Sequence, residues 1–128
     1  MSTETCRDLR ILICEDEIVL AMDLAQLAEA SGGTVVGMVN SVSDLHQALQ
    51  DPGFAADVAF LDVQLIDGKT YEAAEQFQRR GIAVIFCTGH LPADRPETLS
   101  HLPWLAKPFR AEDVGMAVKS ALALTRPG

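Results

Sequence analysis

Apolar residues along the chain gather in two ways. Short, mostly apolar runs occupy Leu9-Arg10-Ile11-Leu12-Ile13-Cys14, Thr34-Val35-Val36-Gly37-Met38-Val39, the centre of Asp57-Val58-Ala59-Phe60-Leu61-Asp62, Ile82-Ala83-Val84-Ile85-Phe86-Cys87 and Trp104-Leu105-Ala106. Residues 57–62 show the pattern most clearly: an unbroken apolar stretch between acids, as expected of a strand buried on both faces of a parallel sheet. Between these runs, apolar residues recur at helical spacing. Ile18, Leu20, Ala21, Leu24, Leu27 and Ala28 predict a helix over 18–31, and Leu45, Ala48 and Leu49 a short one over 43–50 with Ser43 as its N-cap. Tyr71, Ala74 and Phe77 predict a helix over 70–80, and Val114, Ala117, Val118, Ala121 and Leu122 a last one over 111–124. Ser31-Gly32-Gly33, Pro52-Gly53 and Gly81 supply the stops. From Leu91 to Leu102 the pattern fails. Pro92 and Pro96 forbid a regular helix there, so a short or mobile one is expected.

Five strands alternating with helices predict an α/β fold with a doubly wound five-stranded parallel sheet, because parallel neighbours need crossover helices on both faces. The flavodoxin-like order 2-1-3-4-5 suits this length, with an irregular fourth helix and a crevice between the first and third strands. No repeat, linker or low-complexity segment suggests a second domain.

The chain has 128 residues, 48% of them apolar, and a mean hydropathy of +0.16; this composition is that of a globular domain with a core. The apolar runs are too short to cross a bilayer and Met1-Ser2-Thr3-Glu4-Thr5 lacks a signal-peptide pattern, so a soluble, cytoplasmic protein is expected. Cys6, Cys14 and Cys87 show no metal-ligand spacing and read as core or terminal thiols in a reducing compartment. A formal net charge of -8 repels nucleic acid phosphate and anionic lipid, so neither nucleic acid nor membrane is an expected partner.

Candidate chemistry lies at the strand ends. Asp62 closes the third strand, where open α/β sheets place their ligands, although a lone aspartate there more often caps a turn. Glu15-Asp16-Glu17 follows the first strand. In the predicted order Glu15, Asp16 and Asp62 converge, and carboxylates so close repel unless a cation sits among them. Mg²⁺ answers this, since it takes oxygen ligands and recruits phosphate oxygens. The fourth strand brings the Thr88 hydroxyl and the fifth the Lys107 ammonium to the same rim, both suited to phosphoryl oxygens. Together they match the needs of phosphoryl transfer to a carboxylate: a nucleophile, charge neutralisation and donors to the transferred group. Each has a plainer alternative, with Thr88 a turn hydroxyl, Lys107 a solvated strand end and 15–17 a helix-dipole complement.

Residues 10–17, 57–68, 86–90 and 104–109 resemble the receiver domain of two-component response regulators, over about Leu9 to Leu124, leaving 1–8 and 125–128 as tails. The resemblance implies that Asp62 accepts a phosphoryl group from a sensor histidine kinase or phosphotransfer protein in a phosphorelay. It implies Mg²⁺ on Asp16, Asp62 and the Gln64 backbone carbonyl, with Glu15 ligating through water or at the pocket edge, and Thr88 and Lys107 on the phosphoryl group. Glu17, Gly89 and His90 would flank the pocket, and Trp104 would take the switch-aromatic position unless it simply packs at an edge strand. Phe86-Cys87-Thr88-Gly89-His90 is similar to a Phe-Ala-Thr-Gly-aromatic signature often partnered with kinases of the HWE or HisKA2 type. Three features depart from the family pattern: Glu15 stands for the commoner Asp, Ile66 replaces a usual proline, and prolines interrupt the fourth helix.

A stand-alone receiver is expected, not an enzyme beyond its own phosphorylation and dephosphorylation, acting as an output-binding regulator, a relay or a phosphoryl sink. Two other classes share features. A haloacid-dehalogenase-like phosphatase also uses an aspartyl phosphate, but its nucleophile motif is Asp-x-Asp and its acidic metal pair comes late. A flavin- or nucleotide-binding module of the same fold needs glycines where Glu15-Asp16-Glu17 stands.

Overall fold

A computed structural model describes residues 6–89 and 92–125. In chain order its elements are β1 (Arg10–Cys14), α1 (Ile18–Ala30), β2 (Thr34–Val39), α2 (Val42–Gln50), β3 (Val58–Asp62), the short strands β4 (Gln64–Leu65) and β5 (Gly68–Lys69), α3 (Tyr71–Arg79), β6 (Ala83–Thr88), a 3-10 turn (Glu97–Leu99), β7 (Trp104–Ala106) and α4 (Ala111–Thr125). The five main strands form one sheet in the order β2-β1-β3-β6-β7, parallel throughout. This is the expected flavodoxin-like arrangement. All five carboxyl ends therefore reach one rim.

Alternation along each strand divides the core into two layers. Ile11, Ile13, Val58, Phe60, Ala83, Ile85 and Leu105 pack with Leu24 of α1 and Val118 of α4. Leu12, Cys14, Ala59, Leu61, Val84 and Phe86 pack with Leu45 of α2 and Phe77 of α3. Phe60, Phe77 and Phe86 are among the largest fully buried side chains, each contributing about 1.5–3 kcal/mol of apolar transfer. With both faces covered, the central strands have no use for polar alternation.

At the rim of the strand amino ends, the Arg10 guanidinium grips Asp57 through Nε–Oδ2 at 3.1 Å and Nη2–Oδ1 at 3.2 Å. The Arg10 backbone N–H donates to the same carboxylate at 2.8 Å. Cys6 is fully buried and its N–H donates to the Ser31 carbonyl at 2.9 Å. Gly33 makes this closure possible, because a Cβ there would lie 2.5 Å from Ile11 Cδ1 and 3.1 Å from Cys6 Cβ. Cys14 and Cys87 are free and buried, in opposite core layers, and burial pushes both thiols up.

Some local expectations are corrected. The N-cap of α2 is Ser41, not Ser43: its side chain accepts from Asp44 N–H. Ser43 lies within the first turn, where its own N–H donates to Asp67 Oδ2 at 3.0 Å. Ile18, assigned to the buried stripe of α1, is 71% exposed, since it starts the helix at the open rim. The antiparallel pair β4–β5 was not predicted. Within 92–103 the helical element is a single 3-10 turn, Glu97–Leu99, with Leu99 buried. Leu91, where that irregular stretch was expected to begin, lies outside the described residues. Among the described residues no helix is long and apolar enough to cross a membrane.

Candidate functional site

The acidic residues meet beyond the carboxyl ends of β1 and β3. These strands are neighbours, with Cys14 opposite Leu61, so the residue after β1 and the last residue of β3 emerge side by side. Glu15, Asp16 and Asp62 each place a carboxylate oxygen within 4.8 Å of the others. Glu15 is buried at 7% exposure, and its N–H continues the ladder by donating to the Val39 carbonyl at 3.0 Å. Asp16 is exposed and Asp62 half-buried.

Lys107, one residue beyond β7, enters from the other side of the rim. Its Nζ donates to Glu15 Oε1 at 2.7 Å and to Asp62 Oδ2 at 3.2 Å. Burial pushes the Glu15 carboxyl up, the Lys107 hydrogen bond pulls it back, and neighbouring Asp62 adds to the rise, which is the net result. For Lys107, burial works downward but is outweighed by the Glu15 hydrogen bond and the Asp62 charge, which hold the ammonium above its usual range. Among the described residues, the site thus sets the Lys107 ammonium against three carboxylates. Hard oxygen donors at this spacing suit a small divalent cation.

The other predicted positions surround this centre. Thr88 ends β6 one residue past Cys87, the register partner of Asp62, and its carbonyl accepts the Lys107 N–H at 2.8 Å. Gln64 N–H points to Asp62 Oδ1 at 3.4 Å, and the Gln64 side-chain amide donates to the Leu65 carbonyl at 2.8 Å. Glu17 donates its N–H to Glu15 Oε2 at 3.2 Å. Gly89 is exposed, with open space where a Cβ would stand. His90 lies outside the described residues. Trp104 stacks on Phe86 with centroids 4.4 Å apart and planes at 24°, and its indole N–H donates to the Leu99 carbonyl at 3.3 Å.

Two contacts had no prediction. Thr70, fully buried, donates its hydroxyl to the Asp62 carbonyl at 2.7 Å. Lys69 joins Asp94 in an ion pair, tying β5 to the segment after β6. The pattern places Thr70 as the first residue of a helix over 70–80, so its contact with Asp62 left no distinct signal.

The solution structure of SdrG from Sphingomonas melonis Fr1 is 35% identical with a TM-score of 0.78, covering 89% of this chain and 96% of that one. The crystal structure of the response regulator PhyR from Brucella abortus is 30% identical, TM-score 0.76, over 96% of this chain and 52% of that one. The chain belongs to the receiver family of two-component response regulators. Phyllosphere-induced regulator PhyR of Methylorubrum extorquens is 31% identical over 121 residues, and this receiver spans 43% of that protein. No family model matches the chain. In this chain Glu15 and Asp16 follow β1, Asp62 ends β3, Thr88 ends β6 and Lys107 follows β7, so four parallel strands bring them to one rim.

Proposed function

We propose that this receiver takes a phosphoryl group on Asp62 from a sensor histidine kinase, of the HWE or HisKA2 type, or from a phosphotransfer protein. The observation that carries the proposal is Lys107 Nζ 3.2 Å from Asp62 Oδ2 beside the three-carboxylate cluster. An Asp62 oxygen attacks phosphorus, the P–N bond to the donor imidazole breaks, and that nitrogen keeps the electron pair. Glu15, Asp16, Asp62 and the Gln64 carbonyl would hold Mg²⁺, which supplies charge neutralisation for the approaching phosphoryl oxygens. Lys107 and the Thr88 hydroxyl donate to those oxygens, so Lys107 must share or release Glu15 to reach them.

The phosphoryl group adds about -1.5 to -2 charge and three acceptor oxygens. Drawing Thr88 and Lys107 toward it biases the loops after β3 and β6, and Trp104, stacked on Phe86, reports or relays that shift to a partner protein. Incubation with Mg²⁺ and acetyl phosphate, followed by intact mass, tests the acceptor. Wild type gains one phosphoryl group and Asp62→Asn gains none; equal labelling of the two defeats the proposal.

A further inference from the structure

We infer that Thr70 is a positioning residue for the acceptor: its hydroxyl fixes the peptide that carries Asp62, and phosphoryl uptake depends on that hydroxyl. The inference rests on Asp62 being the acceptor.

Thr70 occupies the N-cap position of α3, where a threonine oxygen ordinarily accepts a helix N–H. Here the side chain makes no capping bond, with φ -98 and ψ 9. The hydroxyl turns back and donates to the Asp62 carbonyl at 2.7 Å, lying 3.4 Å from the Val63 carbonyl. The Thr70 N–H takes that Val63 carbonyl at 3.0 Å. One residue therefore holds two successive carbonyls under the acceptor. It is itself anchored, since its own carbonyl accepts Ala74 N–H at 2.9 Å and α3 buries Ala73, Ala74 and Phe77.

Bonds on the carboxylate side do not fix this peptide. Lys107 reaches Asp62 across the pocket and is shared with Glu15, and the Gln64 N–H stands at 3.4 Å. Without the hydroxyl, the Asp62 carbonyl loses its side-chain donor, and rotation of the 62–63 peptide is resisted less, by the strand pairing and the Thr70 N–H. Rotation there displaces both the acceptor oxygens and the Gln64 backbone next to them. Small displacements are felt strongly in transfer reactions, where reacting atoms must stay aligned.

The test compares wild type, Thr70→Val and Thr70→Ser for initial labelling by acetyl phosphate across Mg²⁺ concentrations. All are held below their melting temperatures, with rates taken per folded molecule. Thr70→Val is expected to lower the maximal rate about tenfold and to raise the half-saturating Mg²⁺ concentration. Thr70→Ser, which keeps the hydroxyl, stays within about twofold of wild type on both measures. Thr70→Ala removes the hydroxyl without added bulk and replaces the valine variant if that one does not fold. Wild-type kinetics in the valine or alanine variant, or a serine variant as slow as valine, overturns the inference while leaving Asp62 as acceptor. Wild type that takes no label on Asp62 overturns both.

Discussion

Lys107 and Glu15, 92 positions apart in sequence, meet at 2.7 Å, closer than the same ammonium stands to Asp62. The lysine is therefore engaged mainly by the buried acid. Offsetting the Glu15 charge, with a proton or a bound cation, is expected to loosen its hold on Lys107 and favour the contact with Asp62.

Removing that ammonium leaves a buried acid without its cation. Lys107→Met is expected to lower the metal-free unfolding free energy by about 1–3 kcal/mol, below the cost of breaking a fully enclosed pair because this one borders solvent. Urea melts in EDTA check the loss. Repeating them in Mg²⁺ should recover more stability in the variant than in wild type.

Divalent ion binding should depend on pH with a definite sign. Burial raises the Glu15 carboxyl in the folded state, so between the ordinary and the raised value the metal-free fold binds more proton than the unfolded chain. Its contribution to stability is present at low pH and is lost as pH rises from the ordinary glutamate value through the raised one. Mg²⁺ replaces the proton, so the gain in melting temperature grows with pH over that window. At neutral pH roughly 4 °C is expected at about ten times the dissociation constant. A gain independent of pH would separate Glu15 from the ion.

Asp67 behaves in the opposite direction. Its carboxylate accepts Val42 N–H at 2.6 Å and Ser43 N–H at 3.0 Å, and these bonds hold its carboxyl below the usual range. The stabilisation is full above the ordinary aspartate value and disappears as pH falls through the lowered one. Asp67→Ala is expected to melt at a lower temperature than wild type at neutral pH, with the difference closing in acid. Thermal melts at several pH values decide it.

The single tryptophan gives an optical readout. Its ring lies against Phe86, on the strand that ends in Thr88, so movement of Thr88 toward a phosphoryl group should change Trp104 emission. The change should follow acetyl phosphate and Mg²⁺ in wild type and be absent in Asp62→Asn. Constant emission during full labelling assigns Trp104 to packing alone.

The strands and their order could be read from sequence because burial on both faces leaves an unmistakable composition in Val58–Leu61 and Ala83–Cys87. Convergence of Glu15, Asp16, Asp62 and Lys107 followed from that order, since each stands at or just past a strand's carboxyl end. Contacts made by tertiary placement stayed hidden. Ser43 reads as the local cap of α2, yet Ser41 takes that place while Asp67, from 25 positions away, accepts the Val42 N–H. Thr70 reads as the first residue of a helix, and its bond to Asp62 depends on a hydroxyl direction that sequence does not carry. Ile18 fitted the stripe of α1, yet sits where the helix meets open solvent.

The Arg10–Asp57 clasp has a practical consequence. It fastens the sheet at the margin farthest from the acids, a separation of about 15 Å for strands of five residues. Weakening it with Arg10→Ala makes the scaffold easier to melt yet leaves the chemistry at the opposite margin intact. That substitution is accordingly a benchmark for telling a damaged frame from a damaged reaction centre.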